Sequence, residues 1–358
     1  MKKENKKGNV EEKEKCSKFS IFLIVVDVIA LICFFVVYGP FSFFRDWFIT
    51  TSMTTMTHKY FAYTLYSEDM ISKTLDNNKI IESEDPTDTS KINFNPDFNK
   101  DTYESIYEEQ VLKRDEGNDV YKVVDISGSG WSGKMVVIYD PSRLKLVFSS
   151  KYGGKGEYLS TMAKNNNALV AMNASGVYHP NHQNRVTGTT ILNGKVYATG
   201  KAINKGGGLI GFTKDNVLML TKKSAKEAIA DGMDRAVEFG PFLVVNGKSA
   251  EFKGNGGWGI ANRSAIGQRQ DGIVLLMTID GRSSKSVGIT MPELAELFQK
   301  YKAYNAANLD GGGSSALYAV VNGKGGLINN PVGYGYSGER YLPNAWMVLP
   351  EDGDNITN

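Results

Sequence analysis

The sequence predicts an α+β protein with a mixed, hairpin-rich β-sheet core and flanking helices, preceded by one transmembrane helix. Residues 19–38 are almost all apolar, and a helix of that length spans the roughly 30 Å hydrocarbon core of a bilayer. Thr290 followed by Glu293 is a capping box, and the apolar residues after it recur at helical spacing. Three Asn-Gly-Lys tripeptides lie between apolar runs, as type I′ hairpin turns do, at 193–195, 246–248 and 322–324.

The N-terminal region indicates a membrane anchor. Residues 1–18 carry seven lysines and four glutamates, and Asp27 is the only charge in the apolar block that follows. Since cytoplasmic flanks are rich in lysine, residues 1–18 are expected to be a cytoplasmic tail, with the chain beyond the anchor outside the cell. The block is longer than a signal-peptide core and no A-x-A-like site follows it, which favours an uncleaved anchor over residues 19–44.

The lipid bilayer is therefore an expected partner. Asp27 is costly inside lipid, so it indicates a second membrane partner that packs against this helix. Protonation or snorkelling of the carboxylate is the alternative.

Composition limits the chemistry of the rest of the chain. With 41 basic and 39 acidic residues there is no electrostatic case for nucleic acid, which needs a concentrated basic face. Cys16 and Cys33 are the only cysteines, so disulfides, cysteine-ligated zinc and a cysteine nucleophile are excluded beyond residue 45.

Residues 76–119 hold thirteen carboxylates against five basic groups. We expect residues 45–119 to be a juxtamembrane segment followed by a mostly disordered acidic spacer.

A β-rich domain is predicted over residues 120–350, with residues 351–358 as a tail. Ile273–Ile279 is a continuous apolar run, as expected of a strand buried on both faces, and it ends at Asp280. The capped helix then leads to a second apolar approach that ends at Asp310. Both carboxylates therefore follow strands, a position at which sheets often bind ligands.

The stretch Asp310-Gly311-Gly312-Gly313-Ser314-Ser315 is the strongest candidate for a functional site. Glycine lacks a Cβ and accepts positive φ, so the backbone can approach a ligand closely. Successive N–H groups of such a loop can face an anion, with the carboxylate and the two hydroxyls beside it. A flexible surface turn is the alternative, although the stretch lies between apolar runs, where linkers are rare.

Familiar hydrolase and metal signatures are missing. The chain contains neither a G-x-S-x-G elbow nor a G-x-x-x-x-G-K-[ST] loop. His179 and His182 could ligate a metal by their spacing, but they lie in a loop rich in Pro and Asn, without an H-E-x-x-H context. No metal site and no cofactor are predicted, and a divalent cation bound by carboxylates stays open.

The remaining carboxylates could cleave a glycosidic bond, and the arginines would take part if the leaving group is a phosphate. Asp310, Asp280 and Glu238 are the candidate nucleophile or base. Arg263 and Arg282 are the candidate cations, because a guanidinium can neutralise the charge that develops on a phosphate leaving group. The structural alternatives are a turn after the strand for Asp280 and ordinary ion pairs for Arg263 and Glu238.

Three segments resemble the phosphodiester glycosidase family in their motif order: 262–267 (NRSAIG), 280–282 (DGR) and 309–315 (LDGGGSS). The resemblance covers roughly residues 120–350. It implies that Asn173 lies near the sugar, in an Asn-Ala-Ser-Gly segment where the family usually has Asn-Gly-Gly-Phe. It also implies that Arg340 and Asn344 lie at the pocket rim. The predicted substrate-binding set is Asn173, Arg282, Gly311, Gly312, Gly313, Ser314, Ser315, Arg340 and Asn344, beside the catalytic set Asp310, Asp280, Glu238 and Arg263.

These observations predict a membrane-anchored, extracytoplasmic glycosidase that hydrolyses a sugar-1-phosphodiester bond. Its expected substrate is a phosphorylated glycan, in cell-surface glycopolymers or exopolysaccharide. Two alternatives from other classes stay open. One is a non-catalytic module that binds phosphorylated surface polysaccharide, and the other is a structural subunit of an envelope complex recruited through Asp27.

Overall fold

The computed structural model describes residues 4–54, 58–98, 100–335 and 337–354, within two compact units, Met1–Asn78 and Lys79–Asn358. Parts of the two predicted tails, residues 1–3 and 355–358, lie outside the described residues. The α-helices of the described ranges are α1 (Glu4–Tyr38), α2 (Ser42–Thr54), α3 (Lys59–Leu65), α4 (Glu68–Asn77), α5 (Ile106–Leu112), α6 (Leu159–Asn165), α7 (Ala225–Ala230) and α8 (Met291–Lys300). The strands are β1 (Ile80–Ile81), β2 (Tyr121–Gly128), β3 (Trp131–Ile138), β4 (Leu144–Phe148), β5 (Val170–Asn173), β6 (Gly176–Tyr178), β7 (Arg185–Thr187), β8 (Thr190–Leu192), β9 (Lys195–Ala198), β10 (Leu209–Thr213), β11 (Leu218–Thr221), β12 (Met233–Glu238), β13 (Phe242–Val245), β14 (Lys248–Ser249), β15 (Glu251–Phe252), β16 (Arg263–Arg269), β17 (Val274–Ile279), β18 (Ala303–Asn308), β19 (Leu317–Val321), β20 (Lys324–Leu327) and β21 (Asn344–Val348).

The first unit contains the apolar helix. Within the described ranges, Lys18–Tyr38 of α1 is the one segment that is long and apolar enough to cross a membrane. Its apolar side chains are exposed, as a helix facing lipid requires. The shorter helices α2, α3 and α4 pack around Ile49, Ala62 and Ile71. The predicted apolar helix is therefore present, while its orientation and its role as an uncleaved anchor stay predictions.

The largest sheet of the second unit positions the two predicted carboxylates. It has seven strands in the order β14-β13-β18-β16-β17-β3-β2, and every neighbouring pair is antiparallel. Because β16 runs antiparallel to both β17 and β18, its start lies at the edge where those two strands end. Arg263 pairs with Ile279 in this register. The topology thus brings Arg263, Asp280 and Asp310 to one edge of the sheet.

Two five-stranded sheets, β11-β10-β12-β8-β9 and β20-β19-β5-β21-β4, pack with the large sheet around a common core. Tyr121, Phe212 and Trp346 each come from a different sheet and are fully buried in that core. A second cluster packs α5 and α8 against the large sheet through Leu112 and Phe298. Sheets flanked by helices confirm the predicted α+β class.

The three Asn-Gly turns form the predicted hairpins. Asn193, Asn246 and Asn322 have φ angles of 52°, 54° and 51°, and the glycine after each also has positive φ. Type I′ turns require this left-handed conformation at both central residues. The turns join the antiparallel pairs β8–β9, β13–β14 and β19–β20.

The prediction of a mostly disordered spacer over residues 76–119 is wrong for the part that belongs to the second unit. β1 pairs with β15, and the buried Thr87 hydroxyl accepts a hydrogen bond from the Leu220 amide at 2.9 Å. On α5, Val111 and Leu112 are buried in the second core cluster.

The physical reason is that the charge count overlooked local partners for the carboxylates. Glu108 is buried, yet its carboxylate accepts hydrogen bonds from the Glu104 amide at 2.7 Å and from Lys100 Nζ at 3.0 Å. A paired carboxylate costs little to bury, so a few apolar side chains suffice to hold the segment. The second unit consequently begins at Lys79 rather than near Val120.

Candidate active site

The buried side chain of Asn173 connects the strands that build the site. Asn173 ends β5, and its Nδ2 donates a hydrogen bond to the Asp310 carbonyl oxygen at 2.6 Å. Its Oδ1 accepts hydrogen bonds from Ser264 Oγ at 2.8 Å and from the Ala316 amide at 3.1 Å. One amide group therefore fixes the loop after β18 against β16 and against the start of β19.

The glycine loop contains a short 3₁₀ turn, Gly312–Ser314, and is held against Asn262. The Gly312 amide donates to the Asn262 carbonyl oxygen at 3.1 Å, and Asn262 Nδ2 donates back to the Gly312 carbonyl oxygen. Gly312 has a φ of 59°, and a Cβ on Gly311 would lie only 2.9 Å from the Asn262 oxygen. A side chain would be strained at Gly312 and would crowd Asn262 at Gly311, so both positions favour glycine.

This geometry leaves hydrogen-bond donors available for a ligand. Among the described residues, the amides of Gly311 and Gly313 have no hydrogen-bond partner, whereas that of Gly312 is bonded to Asn262. The predicted set of three glycine donors is reduced to two. The buried Ser315 Oγ and Asn262 Oδ1 also lack partners in the described ranges. Buried polar groups are normally paired, so these unpaired atoms indicate a place that a polar ligand completes.

Three arginines surround the glycine loop. Arg263 is buried, and its Nη2 donates to the carbonyl oxygens of Trp258 at 2.7 Å and Gly259 at 2.9 Å. The exposed Arg282 brings its Nη2 to 3.4 Å from where a Cβ of Gly312 would lie. Burial first, and then the charge of Arg282, lowers the pKa of Arg263 to about 9, so the group stays cationic at neutral pH.

Arg340 is the third cation, and it is held from two sides. Its Nη1 donates to Ser314 Oγ at 3.2 Å, and its Nη2 lies 3.1 Å from His179 Nε2. Since a guanidinium can only donate, His179 Nε2 must accept, which places the ring proton on Nδ1 and keeps the histidine neutral. Burial and the charge of Arg340 lower the pKa of His179, in agreement with this. His179 therefore positions Arg340.

No carboxylate of the described residues forms an ion pair with Arg263, Arg282 or Arg340. The alternative reading of Arg263 as half of an ordinary ion pair consequently finds no partner there. Three cations that form no ion pair in the described ranges, beside two free amides, form a site suited to an anion with several oxygen atoms.

Asp310 lies next to this anion site in an enclosed position. The residue as a whole is half-buried, but its Oδ2 is enclosed and has no hydrogen-bond partner in the described part of the chain. Burial raises the pKa of Asp310 to about 6, against the opposing effects of the Ser314 hydroxyl and the Arg340 charge. A carboxyl group with this pKa can take up or release a proton near neutral pH.

Asp280 has a different environment, since both of its oxygens are occupied. Oδ1 accepts from the Asn330 amide at 2.9 Å and from Asn329 Nδ2 at 3.4 Å, and Oδ2 accepts from Asn330 Nδ2 at 2.7 Å. Asn329 Nδ2 also donates to the Ser315 carbonyl oxygen at 3.2 Å. Asp280 thus supports the chain beside the glycine loop, and its predicted catalytic role stays a prediction.

Two other predicted residues lie elsewhere: Asn344, predicted at the pocket rim, is fully buried, and Glu238 lines another cavity. The amide side chain of Asn344 exchanges hydrogen bonds with Ser175, accepting from the Ser175 amide at 3.0 Å and donating to its Oγ at 2.9 Å. It therefore fixes the backbone that follows Asn173. Glu238 ends β12 and lines a separate cavity of about 470 Å³.

Sequence reasoning did not assign Asn262, Ser264, Asn329 or Asn330 to the site. Asn262 and Ser264 flank the predicted Arg263, so their position in the motif was a usable signal. Asn329 and Asn330 carry no motif, and only the folded chain shows that they hold Asp280. Within the described ranges, no group of three His, Cys, Asp or Glu side chains could hold a metal ion, and the need for a divalent cation stays open.

A family model for phosphodiester glycosidases matches residues 166–349, slightly more than half of the chain. The chain belongs to the phosphodiester glycosidase family. The matched range contains every residue of the predicted site, from Asn173 to Asn344.

Individual relatives match over shorter segments. An SPbeta prophage-derived uncharacterized protein, YomE, from Bacillus subtilis is 35% identical over 182 residues, covering 49% of this chain and 27% of the relative. The N-acetylglucosamine-1-phosphodiester α-N-acetylglucosaminidase of Bos taurus is 28% identical over 151 residues, covering 36% of this chain and 28% of the relative. The matches thus span about a quarter of the length of these curated relatives.

A solved structure shares the fold. The catalytic domain of the zebrafish N-acetylglucosamine-1-phosphodiester α-N-acetylglucosaminidase, auto-inhibited by its pro-peptide, aligns with a TM-score of 0.51 at 22% identity. The alignment covers 64% of this chain and 82% of the zebrafish chain. At this identity the likeness concerns the architecture alone.

The environment of Asp310 predicts an unusual effect of its substitution on stability. The folded-state pKa of about 6 lies above the ordinary value, so the wild type loses stability as pH rises from about 4 to about 6. Asp310→Asn removes the ionisable group and should raise the free energy of unfolding by roughly 2 to 3 kcal/mol at pH 7.5, with little difference at pH 4.

Urea denaturation of the full chain in detergent at the two pH values measures this difference. Asp352→Asn, at an exposed position, is the matched control and should change neither value. A difference between wild type and Asp310→Asn that is the same at pH 4 and pH 7.5 would show that the Asp310 carboxyl is not enclosed.

Proposed function

We propose that this protein is a hydrolase that cleaves sugar-1-phosphodiester bonds with the site around Asp310. One observation carries the proposal: three arginines without carboxylate partners surround a loop with two free amides, directly beside a carboxyl group that titrates near neutral pH. The family supports the reaction class, and the bovine relative bears the name of an enzyme that acts on a sugar-1-phosphodiester.

The anion site would bind the phosphate part of the substrate. Arg282 and Arg340 reach the loop from the solvent side with planar groups that suit two phosphate oxygens at once. The amides of Gly311 and Gly313 add two neutral donors. Arg263 is tied to two carbonyl oxygens, so its contribution would be a fixed positive charge.

The same groups account for catalysis. When the bond between the sugar C1 and the phosphate oxygen breaks, negative charge grows on the leaving phosphate, and fixed cations stabilise that charge in the transition state. A leaving group stabilised in this way depends little on protonation by an acid. Asp310 is mostly ionised above pH 6 and would act as the nucleophile or as the base that activates water.

We further propose a location at the cell surface, where the substrate would be a phosphorylated glycopolymer or exopolysaccharide. The apolar segment Lys18–Tyr38 and the lysines before it support a single-pass anchor with the N-terminus in the cytoplasm. Protease added to intact cells should then degrade the catalytic unit and leave a short membrane fragment that retains the N-terminus. A mature protein that starts after residue 38 would contradict the uncleaved anchor.

The catalytic assignment is tested by comparing two kinds of substitution on a panel of sugar-1-phosphodiesters and the matching neutral aryl glycosides. Asp310→Asn keeps the shape of the side chain but cannot act as nucleophile or base, so kcat should fall at least a hundredfold on every substrate. Arg282→Ala should raise KM and lower kcat/KM by about a hundredfold on phosphodiesters, with a much smaller effect on aryl glycosides. Arg282→Lys should restore little of the lost kcat/KM if Arg282 contacts the phosphate through two hydrogen bonds.

Lys248→Ala is the matched charge-removing control. Lys248 is exposed in a hairpin that meets the start of β18, at the edge of the sheet away from Asp310, where the Gly247 amide donates to the Tyr304 carbonyl oxygen. Near-normal turnover by Asp310→Asn on all substrates would show that this loop is not the catalytic centre. A wild type that binds sugar phosphodiesters but cleaves none would identify a binding module instead.

A further inference from the structure

Five of the nine residues that line the cavity beside Glu238 are glycines. Its lining consists of Thr187, Gly188, Gly200, Lys201, Gly206, Gly207, Gly208, Glu238 and Phe239, around a volume of about 470 Å³. A Cβ on Gly200 would lie 2.3 Å from the Cα of Gly188, so these two walls touch and a side chain on Gly200 would force them apart. Pockets of about 300 to 1,000 Å³ accommodate small molecules.

Glu238 is held rigidly at the wall of this cavity. Its Oε2 accepts hydrogen bonds from the Thr189 amide at 2.7 Å and from the Ala202 amide at 3.0 Å. Within the described residues, its Oε1 has no hydrogen-bond partner and the carboxylate forms no ion pair. One oxygen is thus fixed by the backbone, and the other is free to accept a hydrogen bond from a ligand.

Two stretches of chain connect the walls of this cavity to the Asp310 site. Gly240, two residues after Glu238, accepts a hydrogen bond through its carbonyl oxygen from Asn308 Nδ2 at 2.9 Å. On the other side, Thr187 pairs with Gly176, three residues after Asn173. Both connections lead to the residues that hold the Asp310 loop.

We propose that this cavity is the subsite for the sugar ring of the substrate, with Glu238 accepting hydrogen bonds from sugar hydroxyls. The proposal rests on the proposed function, because it assigns the sugar to this cavity and the phosphate to the arginine loop. A fixed carboxylate oxygen accepts hydroxyl donors but repels phosphate. The glycines of the lining leave backbone groups uncovered by side chains, and such groups are further partners for hydroxyl groups. Lys201 is the cation of the lining, and its side chain is exposed.

The substitution Glu238→Gln tests the acceptor directly. The amides of Thr189 and Ala202 need an oxygen, so the glutamine must place its carbonyl there and turn its NH₂ group toward the cavity. The free acceptor becomes a donor with no change in size. Gly207→Ala tests the space, since its Cβ would lie 2.4 Å from Glu238 Oε1 and 2.7 Å from the Ala202 nitrogen.

Binding is measured on the full chain in detergent by isothermal titration calorimetry, with N-acetylglucosamine, glucose, galactose and mannose as neutral probes and inorganic phosphate as the anionic probe. For the sugar that the wild type binds best, Glu238→Gln and Gly207→Ala should each raise Kd about tenfold or more, and leave the Kd of phosphate unchanged. Arg282→Ala should raise the Kd of phosphate and leave the Kd of the sugar unchanged. Glu296→Gln and Gly326→Ala are matched controls, because Glu296 is exposed on α8 and a Cβ on Gly326 meets no atom within 4 Å.

The outcomes separate the two proposals. No binding of any neutral sugar by the wild type, or sugar binding that survives both cavity substitutions, overturns the sugar subsite. A lowered kcat with unchanged sugar affinity in Glu238→Gln also overturns it, because the residue would then act on the reacting atoms. Sugar binding that depends on Glu238, in a protein that hydrolyses no phosphodiester, supports the subsite and refutes the proposed function.

Discussion

The hydrogen bonds of the Asn173 side chain are the constraint on which the site depends. A single amide donates to the Asp310 carbonyl oxygen and accepts from Ser264 and from the Ala316 amide. These partners lie on or beside three different strands, and Asn173 itself ends a fourth. A buried amide with all these hydrogen bonds has one orientation. It therefore fixes the seven-stranded sheet, the sheet that contains β5 and β19, and the Asp310 loop relative to one another. Asn344 extends the constraint by fixing the backbone at Ser175.

The electrostatics of the site follow from this packing. A nearby guanidinium group lowers the pKa of a carboxyl group, whereas burial raises that pKa. At Asp310 burial has the larger effect, because the pKa rises to about 6 in spite of Arg340 and Ser314. Asp310 is thus one carboxyl group on which the Arg340 charge acts, and it cannot by itself balance three positive charges. An anionic ligand bound at the glycine loop would balance the remaining positive charge of the three arginines.

The parts of the fold that the sequence predicted best are those set by local chemistry. The three Asn-Gly turns adopt the conformation that those residue pairs favour, and the Thr290 capping box opens α8 as predicted. The buried run before Asp280 is an interior strand because continuous apolar residues have no solvent-facing side. Motif order also anticipated that Arg263 and Asp310 meet, since antiparallel pairing of β16 with β18 brings them to one edge.

The parts that the sequence did not predict depend on partners distant in the chain. The acidic segment after Lys79 packs because Glu108 finds donors and Thr87 bonds to Leu220, contacts that no local count of charge contains. Asp280 and Asp310 look equivalent in sequence, as carboxylates after strands. Only the fold shows that Asn329 and Asn330 occupy Asp280 while Asp310 Oδ2 has no partner among the described residues. The sequence likewise groups Glu238 with Asp310, and only the fold shows that Glu238 lines a different cavity.

The central claim is that the bond broken is the one between the sugar carbon and the phosphate oxygen, with the phosphate held by the arginines as the leaving group. Hydrolysis of a sugar-1-phosphodiester in ¹⁸O-labelled water locates the broken bond, because the label enters the product that water attacks. The account predicts ¹⁸O at C1 of the released sugar at early times, and none in the phosphate monoester. Label in the phosphate monoester would show attack at phosphorus, and would contradict the assignment of this site as a glycosidase.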